Sequence, residues 1–357
     1  MADVVLVTGV SRYLGGRLAR ALTQTPGVSR VIGVDVVPPP HDIGSAEFVR
    51  ADIRNPVIAK VIARAEVDTV VHMNVIATPT SAGGRVSMKE INVIGTMQLL
   101  AACQKAPTVR RLIVKSTSAV YGSSPRDPAM FTEDMGAKVL PRAGWGKDSV
   151  EVEGYVRGFW RRRPDVEVAV LRLANFMGPG MHTAITDYLE LPVLPTVFGF
   201  DPRFQLVHED DGIEALRLAT VGDVTGFVNV AADGFVTLHQ AARLAGRPTF
   251  PVPATMVSVV GQAMRTTRLA DFSLDQIRFL SFGRGIDTTR MRAELGFEPR
   301  HTTREAIEDF VRARRLHGPL SAPVLQAGEQ TVASALRPLL RQAESLGSSA
   351  QAVLSHG

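Results

Sequence analysis

The chain opens on an apolar run that leads into a turn between glycines, Val4-Val5-Leu6-Val7-Thr8-Gly9-Val10-Ser11-Arg12-Tyr13-Leu14-Gly15-Gly16. Four consecutive apolar residues predict a buried parallel strand, and the spacing of Leu14, Leu18 and Leu22 predicts a helix after the turn. Gly9 permits a tight turn, Gly15 permits close packing of helix on strand, and the first N–H groups of the helix favour a pyrophosphate. We therefore predict a nucleotide-binding turn.

An acidic residue ends the second predicted strand, Val31-Ile32-Gly33-Val34-Asp35. In dinucleotide-binding folds, a carboxylate at this place accepts hydrogen bonds from the adenosine ribose. Glycine turns also occur in α/β proteins that bind nothing, so the turn alone is weak evidence. Asp35 strengthens the prediction of a dinucleotide site.

Strands and helices alternate through the first half of the chain. Further strands are predicted at residues 47–50, 68–73, 111–115 and 167–173, and helices at about 56–65, 86–103 and 149–161. This alternation predicts an α/β fold, a doubly wound parallel sheet of the Rossmann type with helices on both faces.

The second half is irregular and rich in proline and glycine, but Phe227-Val228-Asn229-Val230 has the pattern of another core strand. We therefore predict a smaller C-terminal substrate lobe that interleaves with the first domain. The predicted boundaries are 1–175 for the Rossmann domain, 176–320 for the lobe and 321–357 for a tail with an amphipathic helix. That helix is expected to dock on the body or on a second subunit, with a partner protein or a membrane surface as alternatives.

Composition excludes several classes of function. The single cysteine, Cys103, rules out a disulfide framework and a cysteine-ligated zinc site, so we predict no metal and a reducing, cytoplasmic location. No basic leader precedes Val4 and no apolar run reaches membrane-spanning length, which predicts a soluble protein. The net charge is +5, but the densest basic cluster, Arg161-Arg162-Arg163, ends a predicted helix without interleaved aromatic residues, so no nucleic-acid partner is expected.

Several motifs occur in an order that is typical of one family. They are Thr8-Gly9 with Gly15, Asp35, Asp52-Ile53, Asn92-Val93-Ile94-Gly95-Thr96, Ser116-Thr117-Ser118-Ala119-Val120-Tyr121-Gly122, Arg172-Leu173-Ala174-Asn175 and Val207-His208-Glu209-Asp210-Asp211. Over about residues 3–315 the chain resembles an extended short-chain dehydrogenase/reductase of the NAD-dependent epimerase/dehydratase family, typified by UDP-galactose 4-epimerase.

The resemblance implies a cofactor and the residues that bind it. Asp35 would accept hydrogen bonds from the ribose and repel a 2′-phosphate, so the implied cofactor is NAD rather than NADP. The implied contacts are the turn residues Gly9, Arg12, Tyr13, Leu14 and Gly15, then Asp52 and Ile53 at the adenine, Met73 and Asn74 at the pyrophosphate, and Asn92 behind the nicotinamide ribose.

Arg12 departs from the family's turn, in which this position is the middle glycine. Arginine has a Cβ and a long side chain where the backbone should approach a phosphate. Two outcomes are open: the guanidinium clamps a phosphate as a charge-assisted donor, or it blocks the approach and leaves the site without a nucleotide.

The family's catalytic pair, a tyrosine and a lysine four residues later, is missing. One register places Trp145 at the tyrosine position and Ser149 at the lysine position, and the other places Ala143 and Lys147 there. The indole N–H of Trp145 is only a donor and does not exchange protons near neutral pH. Neither register supplies both groups.

Other residues are therefore predicted to carry the chemistry. Thr117 falls on the family's assisting hydroxyl position, and Tyr121 and Lys147 are the predicted substitutes for the proton acceptor. Trp145 and Asn175 are predicted to contact the substrate.

Two hypotheses follow from these departures. The first is an NAD-binding oxidoreductase or epimerase with a nonstandard active site, acting on a nucleotide sugar or a similar anionic conjugate. The alternative is a catalytically inactive nucleotide-binding sensor or scaffold of the same fold. The resemblance also implies a homodimer through the helices that begin near Val86 and Ser149.

Overall fold

The computed structural model describes residues 2–73, 84–142, 144–253 and 274–316. Asn74, Ala143 and the predicted tail helix after residue 320 therefore lie outside the described residues. Within the described part, no helix combines the length and the hydropathy that crossing a bilayer requires.

The strands of the described part have the following bounds: β1 (Val4–Thr8), β2 (Arg30–Asp35), β3 (Glu47–Arg50), β4 (Thr69–His72), β5 (Arg111–Thr117), β6 (Glu167–Leu173), β7 (Asn175–Met177), β8 (Leu194–Val197), β9 (Arg203–Phe204), β10 (Leu206–His208), β11 (Gly226–Val230), β12 (Val236–Thr237) and β13 (Thr249–Val252).

The helices have the following bounds: α1 (Tyr13–Thr23), α2 (Val57–Arg64), α3 (Arg85–Lys89), α4 (Thr96–Lys105), α5 (Gly144–Arg162), α6 (Ala184–Glu190), α7 (Glu209–Val221), α8 (Leu238–Leu244), α9 (Leu274–Phe282), α10 (Thr289–Ala293) and α11 (Thr303–Arg314). A π-helical turn (Glu90–Gly95) joins α3 to α4, and a 3-10 turn (Ser118–Tyr121) follows β5.

Seven strands form the main sheet, in the order β3-β2-β1-β4-β5-β6-β11, and every neighbouring pair is parallel. A parallel sheet is covered by helices on both faces, so its strands are apolar on both sides. The nearly continuous burial of β1, β4 and β6 shows this. The predicted doubly wound α/β fold is confirmed.

Two apolar clusters fill the two faces of the sheet. On one face, Leu18 of α1 and Leu216 of α7 pack with sheet residues such as Val7. On the other face, Ile62 of α2 and Val156 of α5 pack with residues such as Leu6. The alternation of Leu6 and Val7 between the clusters is the two-residue period of a strand.

The smaller lobe has a separate core. Leu194 of β8, Phe204 of β9 and Phe310 of α11 pack there together with apolar residues of α6 and α8. Between the lobe elements α6 and α8 the chain returns to the main sheet at β11, where Val228 lies opposite Leu171 of β6. The predicted interleaving of the lobe with the sheet is therefore confirmed.

The helix predicted over residues 86–103 is divided by the π-helical turn. The Thr96 hydroxyl donates to the Asn92 carbonyl at 2.5 Å inside this turn. Gly95 lets the turn approach the loop after β3, because a Cβ at this position would lie 2.8 Å from the Ile53 Cδ1 atom. Helix α5 also begins earlier than predicted, at Gly144 rather than near Ser149.

Candidate active site

The sheet changes its winding direction between β1 and β4, because β2 and β3 lie on one side of β1 while β5 and β6 lie on the other. At such a point, the loops at the carboxyl ends of the strands leave a crevice that binds ligands. A cavity of about 440 Å³ lies there. It brings together Arg12, Tyr13, Leu14, Gly15, Met73, Thr117, Trp145 and Asn175 from the predicted site.

The turn between β1 and α1 has the close backbone approach that its glycines predict. Gly9 adopts a φ of 76° and its N–H donates to the Val34 carbonyl at 2.9 Å. A Cβ on Gly15 would lie 2.1 Å from the Gly9 carbonyl oxygen, so only glycine fits. The first intrahelical N–H bond is from Gly16 to the Arg12 carbonyl, which leaves the preceding amides at the helix N-terminus where anions bind.

Asp35 lies at the carboxyl end of β2, beside this turn. Its carboxylate accepts from the Ser11 N–H at 3.1 Å, from the Ser11 hydroxyl at 2.5 Å and from the Val36 N–H at 2.8 Å. These bonds fix the orientation of the carboxylate before any ribose arrives. A carboxylate has about four lone-pair sites, so it retains acceptor capacity for a ribose hydroxyl.

Arg12 is the residue that precedes the first residue of α1, with extended backbone (φ −91°, ψ 149°). Its side chain lines the cavity. Burial lowers the pKa of Arg12, and the nearby Asp35 carboxylate opposes this effect. Since arginine remains protonated at any physiological pH, the turn places a permanent positive charge in the cavity wall.

Tyr13 is held by Glu209, the first residue of α7. The tyrosine hydroxyl donates to Glu209 Oε1 at 2.6 Å, and the Gly180 N–H donates to Glu209 Oε2 at 2.9 Å. Burial and the bond to Glu209 raise the pKa of Tyr13 to about 12. The buried Glu209 thus connects the nucleotide turn to the loop after β7, and Tyr13 cannot serve as a proton acceptor.

The end of β5 forms the opposite side of the cavity. Thr117 lines it, and the Thr117 hydroxyl oxygen accepts from the Ala119 N–H at 3.1 Å. Lys115, two residues earlier, also lines the cavity. Burial lowers the pKa of Lys115 to about 8, and the positive charge of Arg12 contributes to this shift.

Helix α5 carries Trp145 and Ser149, which one register of the resemblance places at the positions of the family's catalytic pair. Trp145 lines the cavity and is partly exposed. Ser149 is fully buried, and its hydroxyl donates to the Trp145 carbonyl at 2.8 Å. Neither residue is an acid or a base near neutral pH.

Comparisons with known proteins agree with this geometry. Residues 5–231 match the sequence model of the NAD dependent epimerase/dehydratase family. An uncharacterized protein of Mycobacterium tuberculosis, Rv0501, is 51% identical over 317 residues, which are 88% of this chain and 84% of that protein.

The chain belongs to the NAD dependent epimerase/dehydratase family. The cofactor of this family is NAD, in agreement with the prediction from the sequence. Similar solved structures include a UDP-glucose 4-epimerase from Thermotoga maritima with UDP-glucose (TM-score 0.67, 21% identity, 87% of this chain and 98% of that one) and a dTDP-glucose 4,6-dehydratase from Bacillus anthracis in complex with NAD (0.66, 19%, 88% and 97%). At these identities the solved structures show the shared fold.

The residues present fit the dinucleotide of this family. Gly9 and Gly15 form the close turn, the amides at the start of α1 face the cavity, and Asp35 stands beside them. The Arg12 side chain lies along the cavity wall and contributes a charge of the sign that a pyrophosphate requires.

Tyr121, a predicted substitute for the missing tyrosine, lies outside the residues that line the cavity. Its hydroxyl is buried, donates to Asn229 Oδ1 at 2.8 Å and accepts from Arg172 Nη1 at 2.8 Å. Arg172 in turn pairs with Glu153 of α5, at 2.7 Å between Nη2 and Oε2. Burial raises the pKa of Tyr121 as well. These contacts argue against the predicted catalytic role and give Tyr121 a structural one.

Lys147 and Asn92 also lie away from the cavity-lining residues. Lys147 is exposed on α5. Asn92 is completely buried, and its Nδ2 atom lies 3.4 Å from Asp148 Oδ2, so it connects the π-helical turn to α5. The structure therefore brings neither residue to the predicted reaction site.

The two residues predicted to bracket the adenine have partners within the protein. The Asp52 carboxylate accepts from Arg54 Nη2 at 2.7 Å and from the Arg54 N–H at 2.9 Å, and Arg54 lowers the pKa of Asp52. Ile53 is buried against Gly95. Both lie in the loop after β3, beside the cavity rather than among its lining residues.

His72 of β4 is a buried core residue. Its Nδ1 atom lies 3.0 Å from the Thr8 hydroxyl and its Nε2 atom 2.8 Å from the Thr96 hydroxyl. Burial lowers the pKa of His72 to about 3, with the Lys115 charge as a second cause. The imidazole is therefore neutral.

Three potential metal ligands, His208, Asp211 and His301, lie within 4.8 Å of one another near the start of α7. The Asp211 carboxylate accepts from the Arg300 and His301 N–H groups, at 3.1 and 3.0 Å. The two imidazole rings stack with centroids 3.8 Å apart, and His301 Nδ1 lies 3.0 Å from Asp211 Oδ2, so these groups are partners of one another. This geometry favours a structural connection between α7 and the loop before α11.

Sequence reasoning missed Lys115 and assigned no role to Glu209. The sequence does contain an indication of Lys115. It directly follows the apolar run Leu112-Ile113-Val114 in a central strand, where burying a charged side chain costs free energy and therefore points to a function. Glu209 belonged to a recognised motif, but its contact with Tyr13 depends on how α7 meets α1.

Proposed function

We propose that this protein binds NAD and uses it to oxidise and reduce a hydroxyl carbon of a nucleotide sugar or a similar anionic conjugate, as an epimerase or dehydratase of its family. Bound NAD supplies a reversible hydride acceptor. The protein supplies the binding, the orientation of the substrate and the movement of its proton. This proposal goes beyond the family assignment, which fixes neither the substrate nor the reaction.

One observation carries the proposal: a single cavity joins the nucleotide turn to the smaller lobe. Its lining runs from Arg12 and Gly15 across Thr117 to the segment 180–185 of the lobe. A cofactor at the turn and a substrate against the lobe would therefore meet at the carboxyl end of β5. The pocket has the mixed apolar and polar lining that is typical of small-molecule sites.

Individual residues receive roles in this proposal. Asp35 accepts from the ribose hydroxyls, and the α1 amides with Arg12 hold the pyrophosphate. Thr117 binds the reacting hydroxyl, Asn175 contacts the substrate, and the indole of Trp145 packs against the sugar. The positive charges of Arg12 and Lys115 make the cavity attractive to anionic ligands.

The first test combines cofactor release with turnover. The purified protein is denatured by heat, the released nucleotide is identified by chromatography, and the native protein with added NAD⁺ is incubated with UDP-glucose and UDP-galactose. We expect released or bindable NAD and slow conversion of a nucleotide sugar, followed by proton NMR of the sugar. Binding of NAD without conversion of any nucleotide sugar would contradict the enzymatic proposal.

Binding of NAD without conversion of a nucleotide sugar would support the second candidate function, a nucleotide-binding sensor or scaffold. The argument in its favour is that neither register of the resemblance, Trp145 with Ser149 or Ala143 with Lys147, supplies both groups of the family's catalytic pair. The cavity argues against it, because a sensor of NAD alone needs no space between the cofactor turn and the lobe.

A homodimer is part of the proposal. Val86, Ile94 and Met97, from α3 to α4, and Tyr155 of α5 are large apolar side chains exposed to solvent. Such residues on adjoining helices fit a contact with a second copy of the chain. Light scattering after size-exclusion chromatography should give twice the 38.5 kDa mass of the chain, and Met97→Lys should lower it. A wild-type monomer would contradict this part.

A cytoplasmic location also belongs to the proposal. Cys103 is buried, and burial raises the pKa of its thiol to about 12, so it is an unreactive core residue. NAD and nucleotide sugars are the ligands proposed for the cavity, and both would be met in the cytoplasm.

A further inference from the structure

The proposed reaction needs a group that takes a proton from the substrate hydroxyl, and the family's tyrosine is absent from this chain. The ionisable residues that line the cavity within the described residues are Arg12, Tyr13, Lys115, His182, Asp275, Arg278 and Arg284. A proton acceptor must be close to Thr117, accessible from the cavity and partly unprotonated near neutral pH.

Most of these groups fail one of the three requirements. The arginines do not lose their protons, and Tyr13 donates its hydroxyl hydrogen to Glu209. His182 is exposed on the lobe and lies 2.8 Å from Arg314 Nη2. Asp275 belongs to the first turn of α9, on the lobe side of the cavity, whereas Lys115 and Thr117 belong to β5 itself.

Lys115 meets the positional requirement through the geometry of β5. Residues two apart in a strand point to the same face of the sheet, so Lys115 and Thr117 share a face about 6.6 Å apart along the strand. Both line the cavity. The intervening Ser116 points to the other face, where its hydroxyl donates to Glu153 Oε1 at 2.7 Å.

The register of the sheet places Lys115 opposite the nucleotide turn. Thr8, His72 and Val114 are aligned across β1, β4 and β5, so Lys115 is one residue beyond this row, level with Gly9 at the start of the turn. Strands are about 4.8 Å apart, so the backbone of Lys115 lies two strands, or about 10 Å, from the start of the turn. The Arg12 charge acts on Lys115, and both residues line the cavity together with Thr117.

The surroundings of Lys115 favour its neutral form. Arg12, from the nucleotide turn, and His72, from β4, act electrostatically on Lys115, and His72 is neutral. Burial and the positive charge of Arg12 both disfavour an ammonium group, and the pKa of Lys115 falls to about 8. A group with a pKa close to the working pH is the most effective general base.

We propose that the Lys115 amine acts in place of the family's tyrosine, taking the proton of the substrate hydroxyl held by Thr117 and returning it in the reverse direction. This inference rests on the proposed function. In the oxidative direction the substrate O–H bond breaks and its proton passes to the amine, which becomes an ammonium group. The hydrogen on the same carbon leaves with its electron pair to NAD⁺, and a C=O bond forms.

Arg12 gains a second role from this arrangement. It departs from the family's glycine in the same chain that lacks the tyrosine, and its charge is what brings the pKa of Lys115 further down. The two departures are then parts of one replacement: burial and the Arg12 charge lower the pKa of Lys115, and the lysine takes the role of the tyrosine.

The first experiment measures the ionisation of Lys115 directly and needs no substrate. The chain has only six lysines, so a ¹³C-lysine-labelled sample gives few signals, and Lys115→Met identifies one of them. We expect that signal to titrate near pH 8 in the wild type and at higher pH in Arg12→Met. A Lys115 midpoint of 10 or above would overturn the proposal, whether or not the protein binds NAD.

The second experiment uses turnover of whichever nucleotide sugar the first test identifies. Lys115→Ala should lose at least about 100-fold in kcat/KM, in the range of general-base catalysis, while its affinity for NAD changes less than about threefold. Added ethylamine should restore part of the rate. Lys115→Arg keeps the positive charge but cannot release its proton, so it should be as inactive as the alanine variant.

Lys105→Ala, at an exposed position on α4, is the matched control and should retain wild-type turnover. Wild-type turnover within threefold in Lys115→Ala or Lys115→Arg would overturn the proposal. If Lys115→Ala fails to fold, Lys115→Arg and the titration of the wild type decide it. If no nucleotide sugar is converted, the proposed function fails while the titration still decides whether Lys115 is a base.

Discussion

The two sides of the cavity differ in what they retain from the family. The cofactor side, formed by the turn at residues 9–15 and by Asp35, keeps the backbone approach and the carboxylate and changes only at Arg12. The side that we propose for catalysis, here called the catalytic side, is formed by Lys115, Thr117 and Trp145, and in our proposal Lys115 takes the place of the family's tyrosine. Binding a dinucleotide depends mainly on backbone shape, whereas proton transfer depends on single side chains, so the two sides can change independently.

The largest expected effect is on the free energy of unfolding and concerns the buried ion pair between Arg172 and Glu153. Arg172→Met leaves the buried Glu153 carboxylate without its cation and removes a donor to Tyr121. Because an uncompensated buried charge is costly, the free energy of unfolding should fall by about 3–5 kcal/mol. Urea denaturation followed by circular dichroism measures this.

The control is Arg304→Met, which breaks the exposed pair with Glu308 on α11 and should cost about 0.5 kcal/mol or less. A loss below about 1 kcal/mol in Arg172→Met would mean that the ion pair does not hold the catalytic side in place.

The next effect tests the cofactor side. Asp35→Ala removes the acceptor of the ribose hydroxyls, so the affinity for NAD should fall by about 10- to 100-fold, as expected for the loss of charge-assisted hydrogen bonds. The preference for NAD over NADP should decrease in the same variant, because the carboxylate no longer repels a 2′-phosphate. Calorimetric titration measures both, with Asp165→Ala, at an exposed ion pair, as the control. An unchanged NAD affinity would remove Asp35 from the site.

The third effect is a pH dependence on the catalytic side. The pKa of Lys115 is about 8 in the folded protein against 10.5 in the unfolded chain, so the folded state loses its proton first as pH rises. Wild-type stability should therefore gain between about pH 8 and 10.5, relative to Lys115→Met. At pH 7 both states carry the proton, and the variant should be more stable by about 1–3 kcal/mol. Urea midpoints at pH 7 and 10 for both proteins, with Lys105→Met alongside, check this; a pH-independent difference would contradict it.

The smallest effect separates structural from catalytic residues. Tyr121→Phe removes one hydroxyl from the network with Arg172 and Asn229 and should lower the free energy of unfolding by about 1 kcal/mol. Turnover and NAD affinity should not change. If the variant kept its stability and lost more than tenfold in turnover, the original prediction that Tyr121 takes part in the reaction would be correct after all.

The fold and the cofactor side could be predicted because local patterns determine them. Buried parallel strands must be apolar on both faces, so the segments at β1, β2 and β6 were visible as apolar runs. The place of Gly9, Gly15 and Asp35 follows from the same strand–turn–helix geometry. Strand β11, at which the chain returns to the main sheet, could also be predicted, from its short and largely apolar sequence.

The arrangement of the catalytic side could not be predicted, because it depends on contacts between side chains that belong to different strands and helices. Tyr121 follows Thr117 by four residues, yet the 3-10 turn directs its hydroxyl toward Arg172 and Asn229. Lys115 was overlooked because a lysine at the end of an apolar run resembles a solvated strand end. Its place opposite Arg12 becomes visible only when the register of β1, β4 and β5 is known.

The measurement that tests the central claim most directly is a calorimetric titration of the purified wild-type protein, freed of bound nucleotide, with NAD⁺ and with NADP⁺. The account predicts saturable binding of NAD⁺, with one site per chain and a preference over NADP⁺. Failure of both nucleotides to bind at millimolar concentration would show that Arg12 closes the turn, and would contradict the claim that this cavity is an NAD-dependent active site.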